Sequence, residues 1–160
     1  MIKSVISKGK NTLIVLPIVA LSVFNYSFNQ ISGDIEWLEW SNKCLNESFD
    51  PSAVTKLKKW EIMLTPDHFI RFRKTYQHGK QEYFSFNLNR LDNVNYLGTP
   101  ESGSLQFKTV NDDIIVQTYD DPKGNIDSMA TVLEIPVKNI SPDRLDSLNE
   151  AINYFKGKTL

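Results

Sequence analysis

From Trp60 to Val137 the chain alternates apolar and polar residues at a period of two, and no other feature of its 160 residues constrains the fold as strongly. Successive side chains of a strand point to opposite faces, so such alternation describes strands with one buried and one wetted face. Turn residues cut the pattern into seven segments: WEIML, HFIRFRKTYQ, EYFSFNL, LDNVNYL, GSLQFKTV, DIIVQTY and MATVLEIPV. Thr65-Pro66-Asp67, His78-Gly79-Lys80, the Pro100 to Gly103 loop, Asn111-Asp112 and the Asp-rich stretch 120–128 separate most of them.

The period then changes. In SPDRLDSLNEAINYFKG, Ser141 is placed to cap a helix whose first residue is Pro142, and Gly157 to end it. Leu145, Leu148, Ile152 and Phe155 share one face of that helix. Seven strands followed by one amphipathic helix, over residues 58 to 157, resemble the pleckstrin-homology-like domain. The resemblance rests on strand count, length and the closing helix. It implies seven antiparallel strands in two packed sheets or a partly open barrel, capped at one open end by the C-terminal helix: a mainly β domain over residues 59–160.

Strand register is expected to bring apolar residues opposite apolar residues, because a slip of one residue turns the whole buried set outward. The loop His78-Gly79-Lys80 then sets Phe72 opposite Phe86 and Ile70 opposite Leu88, while Trp60 falls opposite Phe72 and Ile62 opposite Ile70. The buried face reads Trp60, Ile62, Leu64, Ile70, Phe72, Phe84 and Phe86. Lys59, Glu61, Arg71, Arg73, Thr75, Tyr83, Ser85 and Asn87 share the other face, with Glu61 set opposite Arg71.

The amino terminus reads as an address. Lys3, Lys8 and Lys10 precede an apolar run that starts at Leu13, and Asp34, Glu36 and Glu39 follow it before the next basic residue, Lys43. That order fits an N-terminal apolar helix over residues 1–30, either a secretory signal peptide or a transmembrane anchor within residues 12–28, with the rest of the chain outside the cytoplasm. Residues 31–58 read as a connector. Trp37 and Trp40 either lie at a membrane interface or fold back on the domain, and folding back is the expectation. Asp50 and Pro51 open a short helix predicted to end near Lys58.

The net charge of −1 gives no overall pull toward nucleic acid, and none is expected as a partner. The charge is unevenly spread, however: residues 56–90 hold eight basic and three acidic side chains, residues 91–134 two basic and eight acidic. Cys44 is the single cysteine, so no internal disulfide can staple the fold, and a partly buried thiol is expected rather than a nucleophile. His68 and His78 fall at opposite ends of one strand and cannot share a metal or a proton relay. The loop 120–128 lacks the acid spacing of a calcium loop. No phosphate loop, Gly-x-Ser-x-Gly elbow or His-Glu-x-x-His pair is present. No catalytic residue, metal ligand or cofactor is therefore assigned, small-molecule cofactors included.

What remains is a basic face. Lys59 with Arg71-x-Arg73 is similar to the arrangement with which some pleckstrin-homology domains grip phosphoinositide headgroups, and Tyr83 lies beside it. The candidate binding residues are thus Lys59, Arg71, Arg73 and Tyr83. The expected function is a non-enzymatic binding or assembly domain of the cell envelope, exported or membrane-tethered, whose partner is another envelope protein or the membrane surface. The alternative is a small exported inhibitor or immunity protein that blocks a partner through its acidic loops, residues 112–127.

Overall fold

A computed structural model describes residues 33–158. The predicted signal or anchor, residues 1–30, lies outside the described residues. Two compact units divide the chain, Met1–Trp37 and Leu38–Leu160. In the first, residues 33–37 are helical. The second opens with helix α1 over residues 38–48 and continues with eight strands: β1 (Leu57–Leu64), β2 (Phe69–Tyr76), β3 (Gln81–Asn87), β4 (Leu91–Thr99), β5 (Ser102–Thr109), β6 (Ile114–Tyr119), β7 (Asp127–Ala130) and β8 (Val132–Lys138). Helix α2 (Pro142–Lys156) closes it.

The strands form two antiparallel sheets, one ordered β1-β2-β3-β6-β7 and the other β4-β5-β8. Eight strands stand where seven are predicted, because MATVLEIPV is not one strand. Met129 pairs with Ile115 in the first sheet, Leu133 pairs with Phe107 in the second, and Thr131 is the step between them. A 3-10 turn, Leu88–Arg90, makes the other early crossing from β3 to β4, with Asn87 as its cap.

Both hairpins of the first sheet are offset by two residues from the expected register. Phe72 faces Phe84 and Ile70 faces Phe86; Ile62 faces Phe72 and Leu64 faces Ile70. The cause is the same in each. A three-residue hairpin loop ends on a residue in the left-handed region, and those residues are His68 (φ 62°) and Gly79 (φ 96°). The loops are therefore Pro66-Asp67-His68 and Gln77-His78-Gly79, one residue later and one earlier than expected, closed by Thr65 N–H donating to Phe69 O and Tyr76 N–H to Lys80 O, both at 2.9 Å. An offset of two leaves every side chain on its expected face. Ile62, Leu64, Ile70, Phe72 and Phe86 are all buried, with Trp60 and Phe84 packed against them.

Part of the predicted connector belongs to the core. Cys44, Leu45 and Phe49 are buried to 2% exposure or less, Cys44 at 0% rather than partly buried. The short helix after Asp50 lasts only one 3-10 turn, Pro51–Ala53, and β1 starts at Leu57. Asp50 does cap it, accepting from Ser52 N–H at 3.1 Å. Leu38 packs against the core, whereas Trp40, expected to fold inward, stays more than a third exposed.

Helix α1 also seals one sheet edge. The Asn42 side-chain amide donates to Leu64 O (2.9 Å) and accepts from Leu64 N–H (2.7 Å), and the Asn46 amide donates to Ile62 O at 2.7 Å. Residues four apart on a helix rise about 6 Å and residues two apart on a strand about 6.6 Å, so the two asparagines match the edge of β1 as a neighbouring strand would. At α2, Ser141 Oγ accepts from Arg144 N–H and Gly157 caps the C-terminus, as the sequence predicts. Leu148, Ala151, Ile152 and Phe155 are buried and Leu145 packs beside them. Arg144 joins the two helices, its Nε donating to Cys44 Sγ at 3.2 Å and its guanidinium pairing with Glu47 at 2.5 Å.

Candidate functional site

The outward side chains of the five-stranded sheet form rows. One row runs Met63, Arg71, Ser85, Ile115, Met129; the next runs Glu61, Arg73, Tyr83, Gln117, Asp127. Three of the four predicted residues come together here. Arg71, Arg73 and Tyr83 line a depression of about 120 Å³ with Glu61 and Met63. The Arg73 guanidinium lies over the Tyr83 ring at 5.6 Å, a cation–π contact that holds it flat on the sheet. Glu61 faces Arg73 across the strands rather than Arg71, a consequence of the two-residue offset.

Arg71 lies over the Phe69 ring and pairs loosely with Asp67 at 3.6 Å, both side chains about half exposed. Asp67 is held below the ordinary carboxylate range, first by hydrogen bonding to Thr65. Arg73 has no carboxylate within ion-pair distance among the described residues. Its charge is therefore available to a ligand. Lys59 lies farther along the same face. It pairs across to Thr75, two residues along β1 from Glu61 and so about 7 Å from the Arg73 row and about 13 Å from the Arg71 row. It borders a different groove, between α1 and the β1 edge, lined by Asn42, Asn46 and Trp60 among others.

A second polar group escaped the sequence reading. At one end of the inward face, Glu82 accepts from Lys74 (2.7 Å), from the Tyr76 hydroxyl (2.8 Å) and from Lys80 (3.0 Å), and Lys80 also reaches Asp121 at 2.9 Å. Lys74 Nζ sits 5.0 Å from the Phe84 ring centre. Burial alone would raise the Glu82 pKa, but the hydrogen bonds from Lys74, Tyr76 and Lys80 prevail and lower it. Burial, then the bond to Glu82, pushes the Tyr76 hydroxyl up to about 12. Asp121, and after it Glu82, raise the Lys80 pKa. The signal was present in the sequence: Lys74 and Glu82 share the inward parity of Phe72 and Phe84. This network ties the Asp-rich loop to the β2–β3 hairpin, and with Lys56, His78, Pro122 and Lys123 it borders a groove of about 440 Å³.

Among the described residues no group of three His, Cys, Asp or Glu side chains could hold a metal, and no helix is long and apolar enough to cross a membrane. His68 is buried against Phe155, and His78 lies against Tyr76 with the rings tilted, centroids 5.9 Å apart. The outward face of the three-stranded sheet is of another kind. Asn93, Asn95, Ser102, Ser104, Gln106 and Lys108 face out beside Glu134 and Lys138, with Gln106 donating to Glu134 at 2.6 Å. No protein-family model, curated protein or solved structure matches the chain.

Proposed function

We infer that this chain is a non-enzymatic binding or assembly domain of the cell envelope, exported or tethered by its N-terminal segment, which meets its partner through the outward face of the five-stranded sheet. The observation that carries this reading is the unpaired Arg73 guanidinium stacked on Tyr83, beside Arg71 and between the exposed Met63 and Met129. Arginine, tyrosine and methionine are the residue types enriched where proteins meet, and centrally placed Arg and Tyr side chains carry much of the energy of such contacts. The lysines before the apolar run and the acids after it support the extracytoplasmic placement.

The pleckstrin-homology-like architecture belongs to this proposal. Two antiparallel sheets and a closing helix with a buried stripe support it; α1, and a strand order in which β4 and β5 pass to the second sheet before β6 and β7 return to the first, are not part of what the sequence resemblance implies. The inhibitor reading draws less support, because Asp113 and Asp121 of the acidic stretch are already engaged by Arg90 and Lys80.

The test is the double substitution Arg71→Ala/Arg73→Ala in the full chain, followed by cosedimentation with anionic vesicles and by affinity capture from solubilised envelopes at low and high salt. The proposal expects association to weaken, and its salt dependence to shrink, while the thermal melt stays put. Unchanged association of the double variant at low salt removes the face from the proposal.

A further inference from the structure

The two sheets present four edges, and among the described residues two are covered and a third is short. The edge of β1 is occupied by the amides of Asn42 and Asn46. The edge of β8 is covered where Asp50 N–H donates to Pro136 O at 2.9 Å, Phe49 bridges to Val137, and Lys138 pairs with Asp50 at 3.3 Å. The edge of β7 is only four residues long and begins on Asp127. The remaining edge, β4, is nine residues long. From Asn93 to Thr99 it carries no charge and no proline, and apart from the Thr99 carbonyl, which accepts from the Tyr96 hydroxyl, no backbone group of that stretch bonds outside its pairing with β5. Natural sheets blunt such edges with lysine, proline, bulges or a covering segment; here a bulge at Asp92, whose carbonyl accepts from Lys156 Nζ at 3.3 Å, protects one end.

The direction of the free backbone groups follows from the ladder. Pro136 O points outward to Asp50, so Ile135 and Val137 face Leu105 and Gly103 with their backbone groups. Ser104 and Gln106 then face β4, bonding Leu97 and Asn95, and the N–H and C=O groups of Val94 and Tyr96 point out of the sheet. We propose that the β4 edge is a self-association surface, on which a second copy of this chain pairs antiparallel through its own β4 about a two-fold axis at Asn95.

The choice of occupant rests on charge and symmetry. Asn95 is the midpoint of β4, so this register gives the fullest overlap. It sets Val94 opposite Tyr96 of the second copy twice over, each pair exchanging two backbone hydrogen bonds and placing an aliphatic beside an aromatic side chain on the inward face. On the outward face Asn93 meets Leu97, which is 56% exposed in the single chain. An uncharged strand pairs with itself without opposing like charges, whereas a charged foreign strand finds no counter-charge between Asn93 and Thr99. The interface is isologous and closes as a dimer with a continuous six-stranded sheet.

At the axis, Asn95 meets Asn95 of the second copy as a non-hydrogen-bonded pair, with Cα atoms about 4.5 Å apart, inside the range a disulfide spans. The full chain in detergent is examined by sedimentation velocity over a wide concentration range, alongside Asn95→Lys and Asn95→Cys. The wild type is expected to dimerise with rising concentration. Asn95→Lys, which opposes two lysines at the axis of an exposed position, weakens dimerisation about tenfold or more with an unchanged melt. Asn95→Cys gives a disulfide-linked dimer under mild oxidation while the wild type, whose Cys44 is buried, does not. A wild type that stays monomeric, a dimer that survives Asn95→Lys, or an Asn95→Cys variant that stays uncrosslinked each overturns the proposal.

Discussion

The two sheets share one core and differ in what they show to the outside. Inward, both are aliphatic and aromatic: Ile62, Ile70 and Phe86 from one, Leu105, Phe107 and Ile135 from the other, all nearly inaccessible. Outward, the five-stranded sheet carries Arg71, Arg73, Tyr83, Met63 and Met129, while the three-stranded sheet carries asparagine, serine, glutamine and single charges, with Leu97 and Val132 as exposed apolar side chains. Burial constrains the inward faces alike, so they say little about what the protein does. The outward faces are free of that constraint, so any difference in function between the two sheets has to be read from them.

The largest expected effect tests the shared core. Phe72 is buried, packs edge-on to Phe49 at 5.5 Å and stacks with Phe84 at 6.0 Å. Phe72→Ala should cost about 3 to 5 kcal/mol, read from chemical denaturation. A harmless substitution would mean that the inward face of the five-stranded sheet is not core at all. For the three-stranded sheet the matching probe is Gly98. It sits at φ 145°, and a Cβ there would run into Gly103 Cα and the Ser102 carbonyl, where the two glycine backbones cross closely. Gly98→Ala should cost about 1 to 3 kcal/mol, as overpacking does, and loosen the β4–β5 hairpin first in hydrogen exchange.

Much of this was legible because face is a matter of parity. Every residue placed inward between Trp60 and Phe86 lies inward, and Arg71, Arg73 and Tyr83 converge, even though both registers moved by two. The registers themselves depended on which loop residue takes the left-handed conformation. A glycine at 79 advertises that role; a histidine at 68 does not. Thr131 was missed although the alternation slips there, since Ala130 and Leu133, three residues apart, both face the core. The asparagines of α1 read as connector chemistry because their partners, the backbone of Ile62 and Leu64, are 16 and 22 residues away. Lys59 shares the face of the arginines, one row beyond Arg73, and borders the neighbouring groove, because parity fixes the face and leaves the distance along the strand open.

A smaller effect is expected where the Asp-rich loop meets the inward face. Glu82 is lowered in the folded chain, so its contribution is present above the ordinary value near 4.5 and is lost as pH falls through the lower folded value. Tyr76 and Lys80 are raised, so theirs are present below about 10 and fade as pH rises, for Tyr76 through about 12. Stability should be level between those limits and decline outside both. Tyr76→Phe should cost about 1 kcal/mol near neutrality, the scale of one partly exposed hydrogen bond, and flatten the alkaline decline in melts taken across pH.

The smallest expected effect on stability is the one that bears most on the contrast between the sheets. Arg73→Ala removes an exposed guanidinium whose only described contact is the Tyr83 ring, so the melt should move by no more than about 1 kcal/mol. Gln106→Ala removes a half-buried partner of Glu134 from the other sheet and should move it by about as little. The two variants should part company in binding. If the five-stranded face is the recognition surface, Arg73→Ala weakens association with anionic vesicles or captured envelope partners and Gln106→Ala leaves it at the wild-type level. Equal loss in both would place recognition on neither face in particular, and loss in Gln106→Ala alone would reverse the assignment. Because both substitutions are expected to cost little stability, a difference between them in binding belongs to what the faces touch and not to how well the chain folds.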